Sequence, residues 1–177
     1  MEIYIVRHGQ TDWNVLKKMQ GMNDIPLNDK GINDALLLAE KIQNIQFDVC
    51  LTSPLQRAKK TAEILVGGKT QIIEDAHLVE RGFGSYEGET ANFDLIELMW
   101  DLKKDTNIGG IESLSDCLLR AKKVLDEIKN KYANKKVLIV SHGSFIKAMH
   151  YSIIGYDKNT DFLSFSPQNA EYFKYEI

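Results

Sequence analysis

Cysteine and proline are both scarce in this chain of 177 residues, which contains two cysteines and three prolines. Cys50 and Cys117 are far apart in sequence and have apolar neighbours. Two such thiols do not make a disulfide framework and are typical of buried cysteines in a reducing compartment. The prolines, at positions 26, 54 and 167, mark no linker, and no repeat divides the sequence. We therefore expect one domain over residues 1–177, large enough to be stable without a disulfide or a metal.

An excess of positive charge and a long apolar run are missing as well. The 22 lysine and arginine residues stand against 25 aspartate and glutamate residues, which gives a formal net charge of −3. General nucleic-acid binders and membrane-surface proteins normally have a basic excess, so neither kind of partner is expected. No apolar run reaches the roughly 18 residues of a membrane span, and no basic region with an apolar stretch opens the chain. The cytoplasm is the default location.

Short apolar runs rich in β-branched residues alternate with helical patterns. The runs predict four buried strands, at residues 3–6, 49–52, 71–73 and 137–140. Apolar residues at helical spacing predict two helices between them: Ile32, Ala35, Leu36, Ala39 and Ile42 in one, and Leu114, Cys117, Leu118, Ala121, Leu125 and Ile128 in the other. Alternating strands and helices are typical of a mostly parallel sheet, so the predicted fold is a three-layer α/β/α sandwich.

Two further segments complete the predicted fold. Residues 162–165 and 173–177 flank a turn-like Ser-Pro-Gln-Asn sequence and predict a C-terminal antiparallel hairpin at the sheet edge. Residues 89–113 are predicted to form a short helical cap, in which two apolar stripes run between Phe93 and Leu102. Core packing, a lid over an apolar part of a substrate and a dimer face all remain open for these stripes.

Five ionisable residues follow the predicted strands: Arg7, His8, Arg57, Glu80 and His142. In open α/β sheets ligands bind just past the carboxyl ends of the strands, so we expect these side chains to meet at one edge. Two arginines and two histidines facing one pocket repel each other unless an anion is bound. A guanidinium group can grip two phosphate oxygens at once, which makes a phosphate dianion the natural guest.

The second strand is followed by a predicted helix start. Ser53, Pro54 and Gln56 match a capping box, with Ser53 as the N-cap residue, Pro54 at the first helical position and Gln56 at the third. Such a helix would direct the positive end of its dipole at the predicted site.

Three other chemistries fit the sequence less well. Six residues separate Cys50 from Arg57, one more than in the loop of cysteine phosphatases. Gly67-Gly68-Lys69-Thr70 is like the end of a nucleotide-binding P-loop, but Glu63 stands where that motif needs a glycine, and a helix C-cap is the better interpretation. The four histidines, at 8, 77, 142 and 150, have no usual metal-ligand spacing, so no metal site is predicted.

Six motifs follow one another along the chain. They are Val-Arg-His-Gly-Gln-Thr-Asp-Trp-Asn at 6–14, Gln-Gly at 20–21, Ser-Pro-Leu at 53–55 with Arg57, Leu-Val-Glu-Arg at 78–81 with Glu87-Gly88, Gly-Ile-Glu-Ser at 110–113, and Val-Ser-His-Gly at 140–143. An Arg-His-Gly triplet alone is a weak signal, but six motifs in this order are specific. By these motifs the whole chain resembles the histidine phosphatases, also called the phosphoglycerate mutase-like superfamily.

The resemblance implies a catalytic role for each of the five ionisable residues. His8 would attack phosphorus and form a phosphohistidine, as a neutral imidazole can. Arg7, Arg57 and His142 would surround the phosphoryl oxygens and stabilise their charge. Glu80 would protonate the leaving group and then activate water, with Glu87 as the competing candidate. The implied substrate-binding residues, each with a turn or cap role as the alternative, are Gly9, Thr11, Asn14, Gln20, Gly21 and Gly143.

The family contains hydrolases and mutases that use the same pocket. Mutase relatives generally carry a longer insertion with paired arginines, whereas this chain has only Lys103 and Lys104 there, with Arg81 before them. The expected activity is therefore that of a phosphomonoesterase, a histidine acid-base phosphatase that uses no cofactor and acts on a small phosphorylated metabolite. A cofactor-dependent phosphoglycerate mutase and a catalytically silent phosphate-binding module are the alternatives. The identity of the substrate and the oligomeric state stay open.

Overall fold

The computed structural model describes all residues, 1–177, around one five-stranded sheet. The strands are β1 (Glu2–Arg7), β2 (Val49–Thr52), β3 (Ile72–Glu74), β4 (Lys136–Ser141) and β5 (Tyr172–Glu176). They lie in the order β3-β2-β4-β1-β5. The first four are parallel, and β5 runs antiparallel to β1 at the edge. The predicted mostly parallel α/β sheet is confirmed.

Helices cover both faces of the sheet. They are α1 (Asp12–Val15), α2 (Asp29–Ile42), α3 (Gln56–Val66), α4 (Phe93–Met99), α5 (Leu114–Lys131) and α6 (Gly143–Ile154). Alternate strand residues point to opposite faces. Ile3 and Ile5 of β1 therefore pack in the core formed with α5 and α6, whereas Tyr4 and Val6 pack in the core formed with α2 and α3. Helix, sheet and helix are the three predicted layers.

The helix predictions are confirmed for α5 and partly for α2. All six apolar residues predicted to face the core from α5 are buried. In α2 the buried face consists of Gly31, Ala35, Leu38 and Ile42, and Leu36 is 50% exposed. The prediction for Leu36 is wrong because it lies one residue past Ala35, which turns it about 100° around the helix axis and away from the sheet. Gly67 ends α3 in the left-handed conformation, as predicted for a C-cap.

The predicted C-terminal hairpin is wrong in one of its two strands. β5 exists and pairs with β1, but residues 162–165 form no strand. Asp161 holds them in a turn, because its side chain accepts the Leu163 amide at 2.9 Å and its carbonyl accepts the Tyr151 hydroxyl at 2.8 Å. Phe162 is buried with its ring 4.7 Å from that of Tyr151. Phe162 thus packs in the core although it lies in a loop.

Residues 89–113 contain α4 and a short 3₁₀ turn at Ile108–Gly110. Met99 and Trp100, at the end of α4, are buried in the larger core, whereas Phe93 at its start is 67% exposed. The apolar stripes of this segment are therefore divided between core and surface. In the whole chain, no helix has the length and apolarity that crossing a bilayer requires.

Candidate active site

His8 follows the last residue of β1, at the carboxyl edge of the parallel strands. Its amide donates to the carbonyl of Ser141 at 3.0 Å, which continues the ladder between β1 and β4. Nδ1 lies 2.7 Å from the carbonyl oxygen of Gly9. A carbonyl can only accept, so Nδ1 carries the proton and Nε2 keeps its lone pair. Nε2 is therefore the nitrogen that can act as a nucleophile.

The surroundings of His8 favour the neutral imidazole. The side chain is almost fully buried. Burial, followed by the charges of Arg7 and Arg57, lowers its pKa well below the usual 6.5. The backbone around it is held as well, because the Gly9 amide donates to Thr61 Oγ1 at 3.0 Å and Asn169 Nδ2 donates to the His8 carbonyl at 3.0 Å. A rigid, uncharged imidazole results.

His142 follows β4, and its ring centroid lies 5.1 Å from that of His8. Arg57 Nε donates to His142 Nδ1 at 3.1 Å, so the proton of the neutral ring is on Nε2, which lies 2.8 Å from Ser53 Oγ. Burial is the main cause that lowers the pKa of His142 well below 6.5, and Arg57 adds to it. Both histidines are thus uncharged at neutral pH.

Arg57 lies in the first turn of α3 and is completely buried. Its Nη1 donates to the carbonyl of Asn23 at 2.6 Å and its Nη2 to that of Gly21 at 2.9 Å. The loop at residues 21–23 therefore fixes the guanidinium from one side while His142 fixes it from the other. The positive charge itself meets no carboxylate within ion-pair distance.

The predicted capping box at the start of α3 is wrong. The helix begins at Gln56, and its N-cap residue, Leu55, provides no side-chain cap. Asp24 caps the helix from a distance instead, because its Oδ1 accepts the Gln56 amide at 2.7 Å and its carbonyl accepts Gln56 Nε2 at 2.7 Å. Ser53 accepts from the Leu55 amide at 3.3 Å and contacts His142. Ser53 therefore positions His142 rather than capping the helix.

Arg7 ends β1 and reaches across to the loop before β5. Its Nη1 donates to the carbonyl of Pro167 at 2.8 Å. Its Nε is buried and has no hydrogen-bond partner in the protein. Gly143 allows this packing, because a Cβ there would lie only 3.3 Å from Cζ of Arg7. Arg7 lines the cavity between the strand ends, where its guanidinium charge can attract an anionic ligand.

Glu80 stands beside the N-terminus of α6. Its carboxylate accepts three backbone amides, from Arg81 at 2.8 Å, Phe145 at 3.0 Å and Ser144 at 3.2 Å. Two of these belong to the first turn of α6, where amides have no helical partner. Arg120 fixes the backbone behind Glu80, since its Nη1 donates to the Val79 carbonyl at 2.9 Å. The carboxylate is held in one position.

Glu87, the competing candidate, is used elsewhere. Its carboxylate accepts the amides of Met22 at 3.0 Å and Phe83 at 3.1 Å and the side chain of Asn23 at 2.7 Å. These contacts hold the loop whose carbonyls accept from Arg57. Glu87 does not border the cavity that Glu80 lines.

The strand ends enclose a cavity of about 220 Å³ that is lined by Arg7, His8, Arg57 and Glu80. The structure thus brings four of the five predicted ionisable residues to one cavity. The fifth, His142, does not line the cavity but accepts a hydrogen bond from Arg57, which does. No three His, Cys, Asp or Glu side chains are grouped as a metal site.

The predicted substrate-binding residues fall into two groups. Asn14, Gln20 and Gly143 line the cavity. The other three support it from behind: Gly9 accepts from His8, Thr11 caps α1 and Gly21 accepts from Arg57. Gly21 has a positive φ of 50°, and a Cβ there would meet the Glu87 carboxylate at 2.0 Å.

Several cavity residues were missed by sequence reasoning. Lys18, Trp100, Ser144, Lys147, Ser166 and Pro167 all line it. Trp100 could not be assigned because its apolar stretch predicts core packing, and Lys147 could not because a lysine in a helix ordinarily faces solvent. The turn at Ser166 and Pro167 could be predicted from the sequence. Their position beside Arg7 could not, because it depends on the path of the chain before β5.

The model of the histidine phosphatase superfamily (branch 1) matches residues 3–177. The chain is 38% identical over 156 residues to the uncharacterized phosphatase PhoE of Bacillus subtilis, covering 88% of this chain and 78% of that protein. It is 29% identical over 179 residues to phosphoserine phosphatase 1 of Hydrogenobacter thermophilus, covering 97% and 84%.

Solved structures show the same similarity. YhfR of Bacillus stearothermophilus has a TM-score of 0.87 at 29% identity, covering 99% of this chain and 91% of that one. A histidine-to-alanine mutant of the phosphoserine phosphatase of Entamoeba histolytica, in complex with phosphoserine, has a TM-score of 0.84 at 28% identity, covering 98% and 89%.

Proposed function

The chain belongs to the histidine phosphatase superfamily, and we propose that it hydrolyses a small phosphomonoester through a phosphohistidine on Nε2 of His8. The observation that carries this proposal is the contact between His8 Nδ1 and the Gly9 carbonyl, which leaves Nε2 with a lone pair at the wall of a cationic cavity. The phosphatases among its relatives support hydrolysis as the reaction class.

The phosphate dianion is held by the cations of the cavity. Arg7, which lines the cavity, binds one phosphoryl oxygen through its guanidinium group, and Arg57 adds a second positive charge fixed in place by two carbonyls. His142 keeps Arg57 oriented from behind. Because these groups are positioned before substrate binds, they stabilise the charge of the transition state without reorganising.

In the first step the Nε2 lone pair attacks phosphorus and the ester P–O bond breaks. Glu80, in its protonated form, gives its proton to the departing alkoxide, and the alcohol leaves. The proton stays on His8 Nδ1 and remains hydrogen-bonded to the Gly9 carbonyl. This hydrogen bond stabilises the positive charge that the imidazole gains on phosphorylation.

In the second step water attacks the phosphohistidine. The Glu80 carboxylate takes a proton from this water, the P–N bond breaks, and inorganic phosphate leaves with the neutral imidazole restored. The three backbone amides that bind Glu80 keep it in one place for both proton transfers.

A phosphate-release assay over a panel of small phosphomonoesters tests the proposal. The panel contains phosphoserine, 3-phosphoglycerate, glycerol 3-phosphate and sugar phosphates. Release of inorganic phosphate by the wild type, and none by His8→Ala, is the expected result. Some relatives are named probable phosphoglycerate mutases, so 3-phosphoglycerate is also incubated with a trace of its bisphosphate. Isomerisation without phosphate release would make the protein a mutase, and no turnover of any ester would make it a binding module.

A further inference from the structure

Lys147 is a buried cation without a counterion. It lies in the second turn of α6, lines the cavity and is 7% exposed. Its Nζ lies 4.2 Å from the ring centroid of Trp100, and it forms no hydrogen bond or ion pair with any protein group. An unpaired ammonium at such a depth is costly, and a methionine of similar length would pack there at lower cost.

The neighbouring charges do not explain this lysine. Glu80, the acidic residue in the same wall, already accepts three backbone amides. Arg81, whose guanidinium lies 5.1 Å from the same ring, donates to the carbonyls of Met99 at 2.9 Å and Glu112 at 2.8 Å. Arg81 thus has hydrogen-bond partners in the fold, whereas Lys147 has none: it contacts the face of the Trp100 indole, and Asp161 and Glu80 act on it only through their charges.

The charges of the cavity wall exceed what a phosphate needs. Arg7, Lys18, Arg57 and Lys147 face a single carboxylate, that of Glu80, and His8 is neutral. The wall therefore has three more positive charges than negative ones when Glu80 is ionised, and four when Glu80 is protonated for the first step, so a phosphate dianion leaves at least one unmatched. Burial lowers the pKa of Lys147 to about 8, so its ammonium form predominates at pH 7.

We propose that Lys147 binds a carboxylate carried by the substrate, which makes phosphorylated hydroxy acids and hydroxyamino acids the preferred esters. This inference rests on the proposed function, because it assumes that the phosphate occupies the end of the cavity at His8. The cavity volume of about 220 Å³ suits such a substrate. A volume of this size holds several water molecules, which a phosphoryl group with a short acidic chain can replace.

Two ligand pairs that differ at the carboxylate test the proposal. Phosphoserine is compared with phosphoethanolamine, and 3-phosphoglycerate with glycerol 3-phosphate. Dissociation constants are measured by calorimetry in a His8→Ala background, where no turnover occurs. We expect the carboxylated member of each pair to bind roughly 10- to 100-fold more tightly, the range of one charge-assisted hydrogen bond. Lys147→Met should remove this preference and Lys147→Arg should restore part of it.

The controls separate the carboxylate subsite from the proposed function. Lys122→Met, at an exposed lysine of α5, should keep the preference. If Lys147→Met does not fold, Lys147→Gln takes its place. A preference that survives in a folded Lys147 variant, or that is absent from the parent protein, would overturn the proposal. A preference that depends on Lys147 in a protein that releases no phosphate would support the subsite and refute the hydrolase.

Discussion

Nδ1 of His8 lies 2.7 Å from the carbonyl oxygen of Gly9, and the Gly9 amide donates to Thr61 Oγ1 at 3.0 Å. Residue 9 thus fixes the tautomer of the imidazole and is itself fixed by α3. The Gly9 carbonyl accepts the hydrogen bond from Nδ1 and so orients the ring. The lone pair on Nε2 therefore depends on the fold around Gly9 rather than on a neighbouring base.

The buried neutral histidines predict a pH dependence of stability. Burial and the charges of Arg7 and Arg57 lower the pKa of His8 below that of the unfolded chain, about 6.5. Below pH 6.5 the unfolded chain therefore binds more protons at this residue than the folded protein, and stability falls as the pH falls. The free energy of unfolding should decrease by up to about 1.4 kcal/mol per pH unit on account of His8.

Urea denaturation of wild type and His8→Asn at pH 7.5, 6.0 and 5.0 measures this contribution. The variant lacks the imidazole, so its stability should decline less steeply below pH 6.5. Equal slopes for the two proteins would show that His8 takes up protons as easily in the folded state as in the unfolded one.

Glu80→Gln should separate substrates by their leaving groups. An alkyl ester such as phosphoserine needs a proton for its leaving oxygen, so its turnover should fall by about 10²–10⁴-fold. p-Nitrophenyl phosphate needs none, so the variant should still release a rapid burst of nitrophenol before hydrolysis of the phosphohistidine becomes slow. Stopped-flow absorbance records the burst.

Glu87→Gln is the matched control for that experiment. Glu87 holds the 21–23 loop, so its loss should lower stability and slow both esters alike. A Glu87 variant that loses activity only toward the alkyl ester, together with an unaffected Glu80 variant, would move the acid role to Glu87.

Most of the fold could be predicted because its signals are local. The β-branched runs mark the parallel strands, the 3.6-residue period marks α5, and the rule for strand ends places Arg7, His8 and His142 together. Contacts distant in sequence could not be predicted in the same way. Asp24, rather than Ser53, caps α3 across 32 residues.

The inward orientation of Lys147 could not be predicted from the sequence either. It stands between Ile146 and Ala148 in a helix, a position at which a lysine ordinarily indicates a solvent-facing side. Only the packing of α6 against the segment that carries Trp100 turns it inward. The prediction of a strand at 162–165 is wrong for a related reason: the apolar residues fit a strand, but Asp161 forms a turn that also involves the distant Tyr151.

Asp24→Ala tests the distant cap of α3. The Asp24 carboxylate accepts the Gln56 amide at 2.7 Å, so its loss should lower the free energy of unfolding by about 1 kcal/mol, the usual value of a cap. Asp24→Asn should retain most of this stability, because its amide oxygen also accepts. Chemical denaturation measures both, and equal stability of Asp24→Ala and the wild type would contradict the assignment.

Lys147→Met should make the protein more stable. Burial lowers the pKa of Lys147 from 10.5 to about 8, so at pH 7 its charge destabilises the folded state by on the order of 1–3 kcal/mol. Asp161 and Glu80 oppose this shift, whereas Arg81 and Arg7 add to it. The stabilisation should shrink between pH 8 and 10.5, where the folded protein has already lost the proton and the unfolded chain has not.

Thermal unfolding of wild type and Lys147→Met at pH 7 and pH 9.5 measures this difference. A variant that is less stable than the wild type at pH 7 would mean that Lys147 has a structural role within the fold.

If phosphate passes through Nε2 of His8, as we propose, trapping the labelled enzyme shows it most directly. The wild type is mixed with ester carrying radioactive phosphate, quenched in alkali within one turnover, digested and sequenced. We expect label on the peptide that contains His8, stable in alkali, lost in acid and absent from His8→Asn. Turnover by the wild type without any such label, or equal labelling of His8→Asn, would contradict the proposal.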